Sequence, residues 1–245
     1  MKSDVTVILN GYKRPERLKE QVDAVMGQTI PPKDILYWQN SMPNVNYDYS
    51  TINRCVHAIA NVNFGVWARF FFAMNARTNW ICVLDDDTIP GSRWFENCLE
   101  TQKTHPGLHG TIGILFPNGE EYHNVYRVGW DNPNEEVKEV FCVGHCWFFH
   151  RDLLSIFTRE LPDLDQPWDV GEDMHFSFML QKYSNYRTYV PPHPKNNKEL
   201  WGSLKGWQYG DDGNATASVA MDRMRATLKK YVSRGYIINN MPSNP

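Results

Sequence analysis

Residues 5–9, Val-Thr-Val-Ile-Leu, form a short apolar and β-branched run, the pattern of a strand buried on both faces. The run stops at Asn10-Gly11-Tyr12, and Pro15 suits the first turn of a helix. Over residues 16–26, Leu18, Val22, Val25 and Met26 recur at helical spacing. Gln28-Thr-Ile-Pro-Pro32 breaks that helix, and residues 34–39 read as a second strand. Residues 43–53 are polar and turn-rich, a surface loop, and 56–60 give a weaker third strand. Strand, helix, strand is the opening of a parallel sheet covered by helices.

A turn at Asn63-Phe-Gly65 leads into a helix predicted over 66–76, and residues 80–84 give a fourth strand, apolar on both faces. That strand ends abruptly in Asp85-Asp86-Asp87. The pattern then predicts a helix over 94–103 and strands over 111–116, 122–128 and 140–149. Short helices over 151–157 and 173–181 follow, and a last helix over 217–233. No repeat, low-complexity run or linker interrupts the 245 residues, which read as one domain.

Composition narrows the partners. Twenty-eight acids against 25 bases leave a net charge of -3, so no global positive field advertises nucleic acid or an anionic membrane. No apolar run approaches the ~18 residues of a membrane span. The start of the chain lacks the charged, apolar and cleavage segments of a signal peptide. The five cysteines are odd in number and mostly set in apolar runs, which reads as reduced, buried thiols in a cytoplasmic protein. Cys142 and Cys146 lie four apart, but no second Cys/His pair with zinc-finger spacing follows. The sequon at Asn214 carries no meaning without secretion.

Candidate chemistry begins at the three aspartates. Ligands of open α/β sheets bind outside the carboxyl ends of the strands, where these residues sit. Three adjacent carboxylates repel one another, and protonation, solvent or a cation must relieve that repulsion. Carboxylate oxygens are the hard ligands that Mg²⁺ and Mn²⁺ prefer. In an extended chain Asp85 and Asp87 would share one ligand while Asp86 points elsewhere. The plainer reading is a solvated acidic turn before the next helix. A second group, Trp168-Asp-Val-Gly-Glu-Asp173, precedes a helix; its acids either favour the helix start or take a proton from a hydroxyl nucleophile.

Four stretches carry a family resemblance in their order and spacing: residues 5–14, Asn63-Phe-Gly-Val-Trp-Ala-Arg69, Leu84-Asp-Asp-Asp-Thr88 and Gly171-Glu-Asp-Met-His-Phe-Ser-Phe178. With them the chain resembles glycosyltransferases of the GT-A fold. It is similar to family 2 members and, at Tyr12–Leu18 and Trp38-Gln-Asn40, to exostosin-type sequences. The resemblance implies an α/β, Rossmann-like fold with a mostly parallel central sheet flanked by helices. It implies a metal-dependent transfer of sugar from a nucleotide-diphosphate donor, a UDP-sugar, to a hydroxyl of a glycan or other biopolymer.

On that resemblance, residues 1–110 would bind the donor, 111–210 the acceptor, and 211–245 would form a terminal helix and tail. Asn10, Gly11, Tyr12 and Asn40 would hold the nucleoside, and Arg14, Arg69 and Lys205 the diphosphate. Asp85 and Asp86 would face the ribose or sugar, and Asp87, Asp85 and His193 would hold Mn²⁺ or Mg²⁺. Asp173 would be the base, supported by Glu172, with Trp168 and Asp169 at the acceptor.

Other readings stay open. The last helix carries Arg223, Arg225, Lys229, Lys230 and Arg234, either a solvated face or a DNA-binding one. The Asn-Gly-Tyr-Lys-Arg-Pro opening is similar to viral enzymes that glycosylate hydroxymethylated bases in DNA. A nucleotidyltransferase would share the sheet and the acids but would begin with a Gly-rich loop, which is missing after Leu9. A binding module without catalysis is the third alternative.

Overall fold

Four parallel strands build the first half of the sheet: β1 (Val5–Gly11), β2 (Asp34–Gln39), β3 (Val56–Ile59) and β4 (Trp80–Leu84), in the order β3-β2-β1-β4. The computed structural model describes residues 4–53, 55–116, 125–130, 132–163, 165–210 and 220–238. Alternation along β1 explains why both faces are covered. Val5, Val7 and Leu9 turn to one side, where helices α1 (Leu18–Met26) and α3 (Trp94–Gln102) bring Leu18, Val25, Trp94 and Phe95. Ile8 turns to the other side, where Phe70 of α2 (Ala68–Phe72) packs with Trp67. Each fully buried side chain of this size contributes roughly 1.5–3 kcal/mol.

The second half contains β5 (Gly107–Leu115), β6 (Tyr126–Gly129), β7 (Lys138–Glu139), β8 (Cys142–His150) and β9 (Arg187–Val190). Its helices are α4 (Leu153–Phe157), α5 (Glu172–Tyr183), α6 (Gly206–Gly210) and α7 (Met221–Ser233). The sheet continues β4-β8-β5-β9-β7, with β6 on β5. β8 runs antiparallel to both β4 and β5, so the sheet is mixed, parallel in its first half. The register sets Cys146 opposite Leu84, which brings the early part of β8 beside the end of β4.

The structure revises several boundaries. The helix predicted over 66–76 shortens to α2 and a 3-10 turn at Ala73–Asn75, since the aromatic run in it favours helix only weakly. The strand predicted over 140–149 is broken. The Val140 amide bonds the Thr188 carbonyl on β9, whereas the Phe141 amide bonds Ile114 on β5, so the chain changes neighbour between them. β9 is an element the sequence pattern did not predict. Residues 122–124 of one predicted strand, 217–219 of the last helix and Asn214 lie outside the described residues.

Helix α7 packs Leu228 and Tyr231 on Met174 and Phe178 of α5. Three of its basic side chains meet acids of the 160–169 segment. Arg223 pairs with Asp169, Lys230 lies 2.8 Å from Asp163 and 2.7 Å from Asp165, and Arg234 lies 2.6 Å from Glu160. Arg225 pairs with Asp222 on the helix itself, and cations matched in this way offer less net attraction to phosphates.

All five cysteines are free thiols, four of them buried. Cys146 belongs to the core under α1 and α3 and Cys142 to the core under α7, so the two do not converge on a shared ion. Burial raises the thiol pKa of Cys82, Cys98 and Cys142. No described helix is long and apolar enough to cross a membrane.

Candidate metal centre and neighbouring carboxylates

The ends of β1 and β4 are tied together, because the Asn10 side chain donates to the Leu84 carbonyl at 2.6 Å. Beyond Leu84 the chain turns, with the Thr88 amide on the Asp85 carbonyl at 3.1 Å. Gln21 of α1 fixes this turn by donating to the carbonyls of Asp85 and Thr88, at 2.6 and 3.0 Å. From the other side, the His145 carbonyl accepts from the Asp85 amide and the Thr88 hydroxyl, both at 2.9 Å. His145 adopts a left-handed backbone with φ 63°, an uncommon conformation for a residue with a side chain and one that clusters at functional sites.

Asp85, Asp87 and His145 each offer one ligand atom, and these atoms lie within 4.8 Å of one another. Two carboxylates and an imidazole are a donor set suited to Mn²⁺ or Mg²⁺, so the residues present fit such a cation. Asp86 turns away to Arg14, whose Nη1 is 2.6 Å from Asp86 and 3.6 Å from Asp87. Burial raises the Asp86 pKa to about 6 against the pull of Arg14. Burial also opposes the charge on Asp87, but His145 and Arg14 outweigh it and hold that carboxyl below its usual range. His145 is raised: burial works against its charge, and Asp87, 3.4 Å away, more than compensates.

His193, the imidazole expected at the metal, is placed elsewhere. It is fully buried, with Nδ1 donating to the Pro191 carbonyl at 2.8 Å and Nε2 accepting from the Gly202 amide at 3.1 Å. Both ring nitrogens are therefore engaged by the protein, and the imidazole near the aspartates is His145. Sequence reasoning missed His145, whose only signal was an antiparallel pairing that sets it opposite Asp85.

The second carboxylate group opens α5. Gly171 takes φ 93°, and a side chain there would meet Thr227 at 2.7 Å. Glu172 and Asp173 occupy the first turn, where the Asp173 carboxylate accepts from the Met174 amide at 2.7 Å. Burial raises the Glu172 pKa to about 8 and the Asp173 pKa to about 6. Arg69 joins the two groups: Nη1 bonds Asp85 and Nη2 bonds Glu172 at 2.6 Å. All of these carboxylates line one cavity of about 360 Å³, within the usual range for small-molecule sites.

The other expected contacts divide. Tyr12, Arg14, Asn10, Arg69 and Asp169 line the cavity, as does Asn40. The Asn40 side chain is nevertheless used in structure, donating to the Gly65 carbonyl and accepting from the Phe64 amide, each at 3.0 Å. Gly11 faces Tyr37, whose hydroxyl oxygen would lie 2.1 Å from an added Cβ, so its smallness serves packing. Lys205 lies 3.4 Å from Glu20 of α1 and does not line the cavity. Trp168 is 57% exposed, and its carbonyl receives the Val66 amide at 2.8 Å. Asp169 pairs with Arg223.

No protein-family model matches the chain, and no curated protein sequence matches it at a significant level. Solved structures do. The mannosyltransferase PcManGT from Pyrobaculum calidifontis, in complex with GDP-Man and Mn²⁺, aligns over 99% of this chain and 77% of its own, with 16% identity and a TM-score of 0.52. Residues 1–349 of S. aureus TarS, in complex with UDP-GlcNAc, align over 78% of this chain and 56% of that chain, with 12% identity and a TM-score of 0.53. The chain thus spans only about half of that TarS fragment. At these identities the likeness is one of fold, and the chain has the GT-A fold of nucleotide-sugar glycosyltransferases.

Proposed function

We propose that the protein is a metal-dependent glycosyltransferase that moves a sugar from a nucleotide-diphosphate donor, a UDP-sugar, to a hydroxyl of a glycan or other biopolymer. The observation that carries this reading is the group of Asp85, Asp87 and His145 at the carboxyl end of β4, inside the cavity that also holds Glu172 and Asp173. A divalent cation held there would neutralise the charge that grows on a departing diphosphate. Arg14 stands beside Asp86 and Asp87 and adds positive charge on the same side.

Asp173 acts as the base toward the acceptor hydroxyl. Its pKa of about 6 leaves it ionised near neutral pH while keeping useful proton affinity. Glu172, held by Arg69, fixes the first turn of α5 beside it. Trp168 offers an exposed aromatic face for an acceptor at the same end of the molecule. Asn10 and Tyr12 are assigned to the nucleoside, on the strength of their place at the end of β1 along the cavity wall.

The test is donor hydrolysis with Mn²⁺ present and chelated, using UDP-GlcNAc and other UDP-sugars with GDP-Man for comparison. Mn²⁺-dependent release of the nucleoside diphosphate is the expected result. Pyrophosphate formed from a nucleoside triphosphate and a sugar phosphate would instead indicate a nucleotidyltransferase. No turnover of any donor would indicate a binding module.

A further inference from the structure

Arg69 is 4% exposed, and its two terminal nitrogens go to different places. Nη1 bonds Asp85 at the end of β4, and Nη2 bonds Glu172 at the start of α5 at 2.6 Å. The guanidinium lies 4.4 Å over the ring of Trp147 on β8, which fixes its plane. Its Nε has no partner among the described residues, so the two carboxylates carry its hydrogen bonding. One buried cation therefore binds a member of the metal-ligating group and a member of the acceptor-side pair at once.

We infer that Arg69 is a positioning residue that couples the cation site to the acceptor-side carboxylates, by sharing one planar guanidinium between Asp85 and Glu172. This rests on the metal-dependent reading of the cavity given above. The fork holds Asp85 turned toward Asp87 and His145, and outer partners of this kind set the orientation of metal ligands. The same plane anchors Glu172, so a substitution at Glu172 is felt at Asp85 through Arg69. Such coupling is a free energy between two sites and must appear as non-additive binding.

The experiment needs no acceptor. Mn²⁺ affinity in the presence of UDP, and separately of GDP, is measured by calorimetry and by Mn²⁺ paramagnetic resonance. The chains compared are the natural one, Arg69→Lys, Glu172→Met and the double variant, each first checked for an intact fold by circular dichroism and thermal melting. Lysine keeps the charge but cannot fork, so Arg69→Lys should weaken Mn²⁺ binding about tenfold or more. Glu172→Met should weaken it several-fold in the natural background and leave it unchanged in the Arg69→Lys background. If Glu172→Met does not fold, Glu172→Gln is read the same way, with a smaller effect because the amide oxygen still accepts from Arg69.

Additive losses would overturn the inference, because a through-space effect of Glu172 on the ion persists without the fork. So would natural affinity in Arg69→Lys. A natural chain that binds no Mn²⁺ with either nucleotide would overturn the metal reading itself, and the inference with it, which separates the two failures.

Discussion

Asp85 and His145 face one another across the β4–β8 pair. The Asp85 amide donates to the His145 carbonyl at 2.9 Å, and both side chains reach the same small volume as Asp87. His145 combines this pairing with a left-handed backbone, and its imidazole lies 3.4 Å from Asp87. Removing that imidazole should therefore act on the ion and spare the fold. We expect His145→Ala to weaken Mn²⁺ binding at least tenfold and Asp87→Ala to abolish it, measured by calorimetry with UDP present. Natural affinity in His145→Ala would remove that residue from the metal group.

Asp173→Asn separates binding from chemistry. The variant should keep Mn²⁺ and nucleotide affinity and lose 10²–10⁴-fold in transfer, roughly the value of a positioned base. On the proposed mechanism the natural protein should also show a rate that rises with pH through about 6, because the carboxyl must lose its proton before it can accept another. A pH–rate profile of the natural protein against Asp173→Asn checks this. Persistence of the same acid limb in the variant would assign the titration to another group.

Gly65 carries a packing demand beyond its φ of 69°: an added Cβ would lie 1.8 Å from the Trp168 carbonyl oxygen. Gly235, with φ 94° and nothing within 4 Å of the same position, isolates the backbone effect alone. Urea unfolding should show Gly235→Ala less stable by about 1–2 kcal/mol and Gly65→Ala by a clearly larger amount. Equal losses would mean that the loop carrying Trp168 is not pressed on Gly65.

Buried imidazoles set the acid stability. Burial lowers the pKa of His109, His175 and His193 to about 4 each, against about 6.5 in an unfolded chain. Below that unfolded value the unfolded state binds protons that the folded state refuses. The stabilising contribution is thus complete above pH 6.5 and is lost as pH falls toward 4. Glu172 and Asp173, both raised, act in the opposite sense over their own ranges, so the comparison is made against a variant. His193→Gln should remove about 1.2 kcal/mol per pH unit from the slope of stability between pH 6 and 5. An unchanged slope would show that His193 titrates normally in the fold.

Much of this fold was legible in the sequence because its first half obeys local rules. Val5, Val7 and Leu9 alternate with Ile8, Pro15 opens a helical turn, and three aspartates end an apolar strand where α/β sheets bind ligands. The antiparallel half was less legible. Its pairings join distant segments, as when Val140 bonds β9 and Phe141 bonds β5, and no local pattern encodes that change of partner. The same limit explains the imidazole. His193 stood where the family resemblance placed a ligand, whereas His145 reaches the aspartates only through the β4–β8 register. Arg69 looked like a phosphate clamp by residue type, and only the fold shows that its fork is occupied by Asp85 and Glu172.

The central claim is that the aspartates at the end of β4 hold a divalent cation. Anomalous scattering from a crystal soaked with Mn²⁺ and UDP tests it most directly. The predicted result is one strong peak at coordination distance, about 2.0–2.2 Å, from Asp85, Asp87 and His145. A crystal in which manganese binds elsewhere, or leaves these three side chains without a peak while nucleotide fills the cavity, would contradict it.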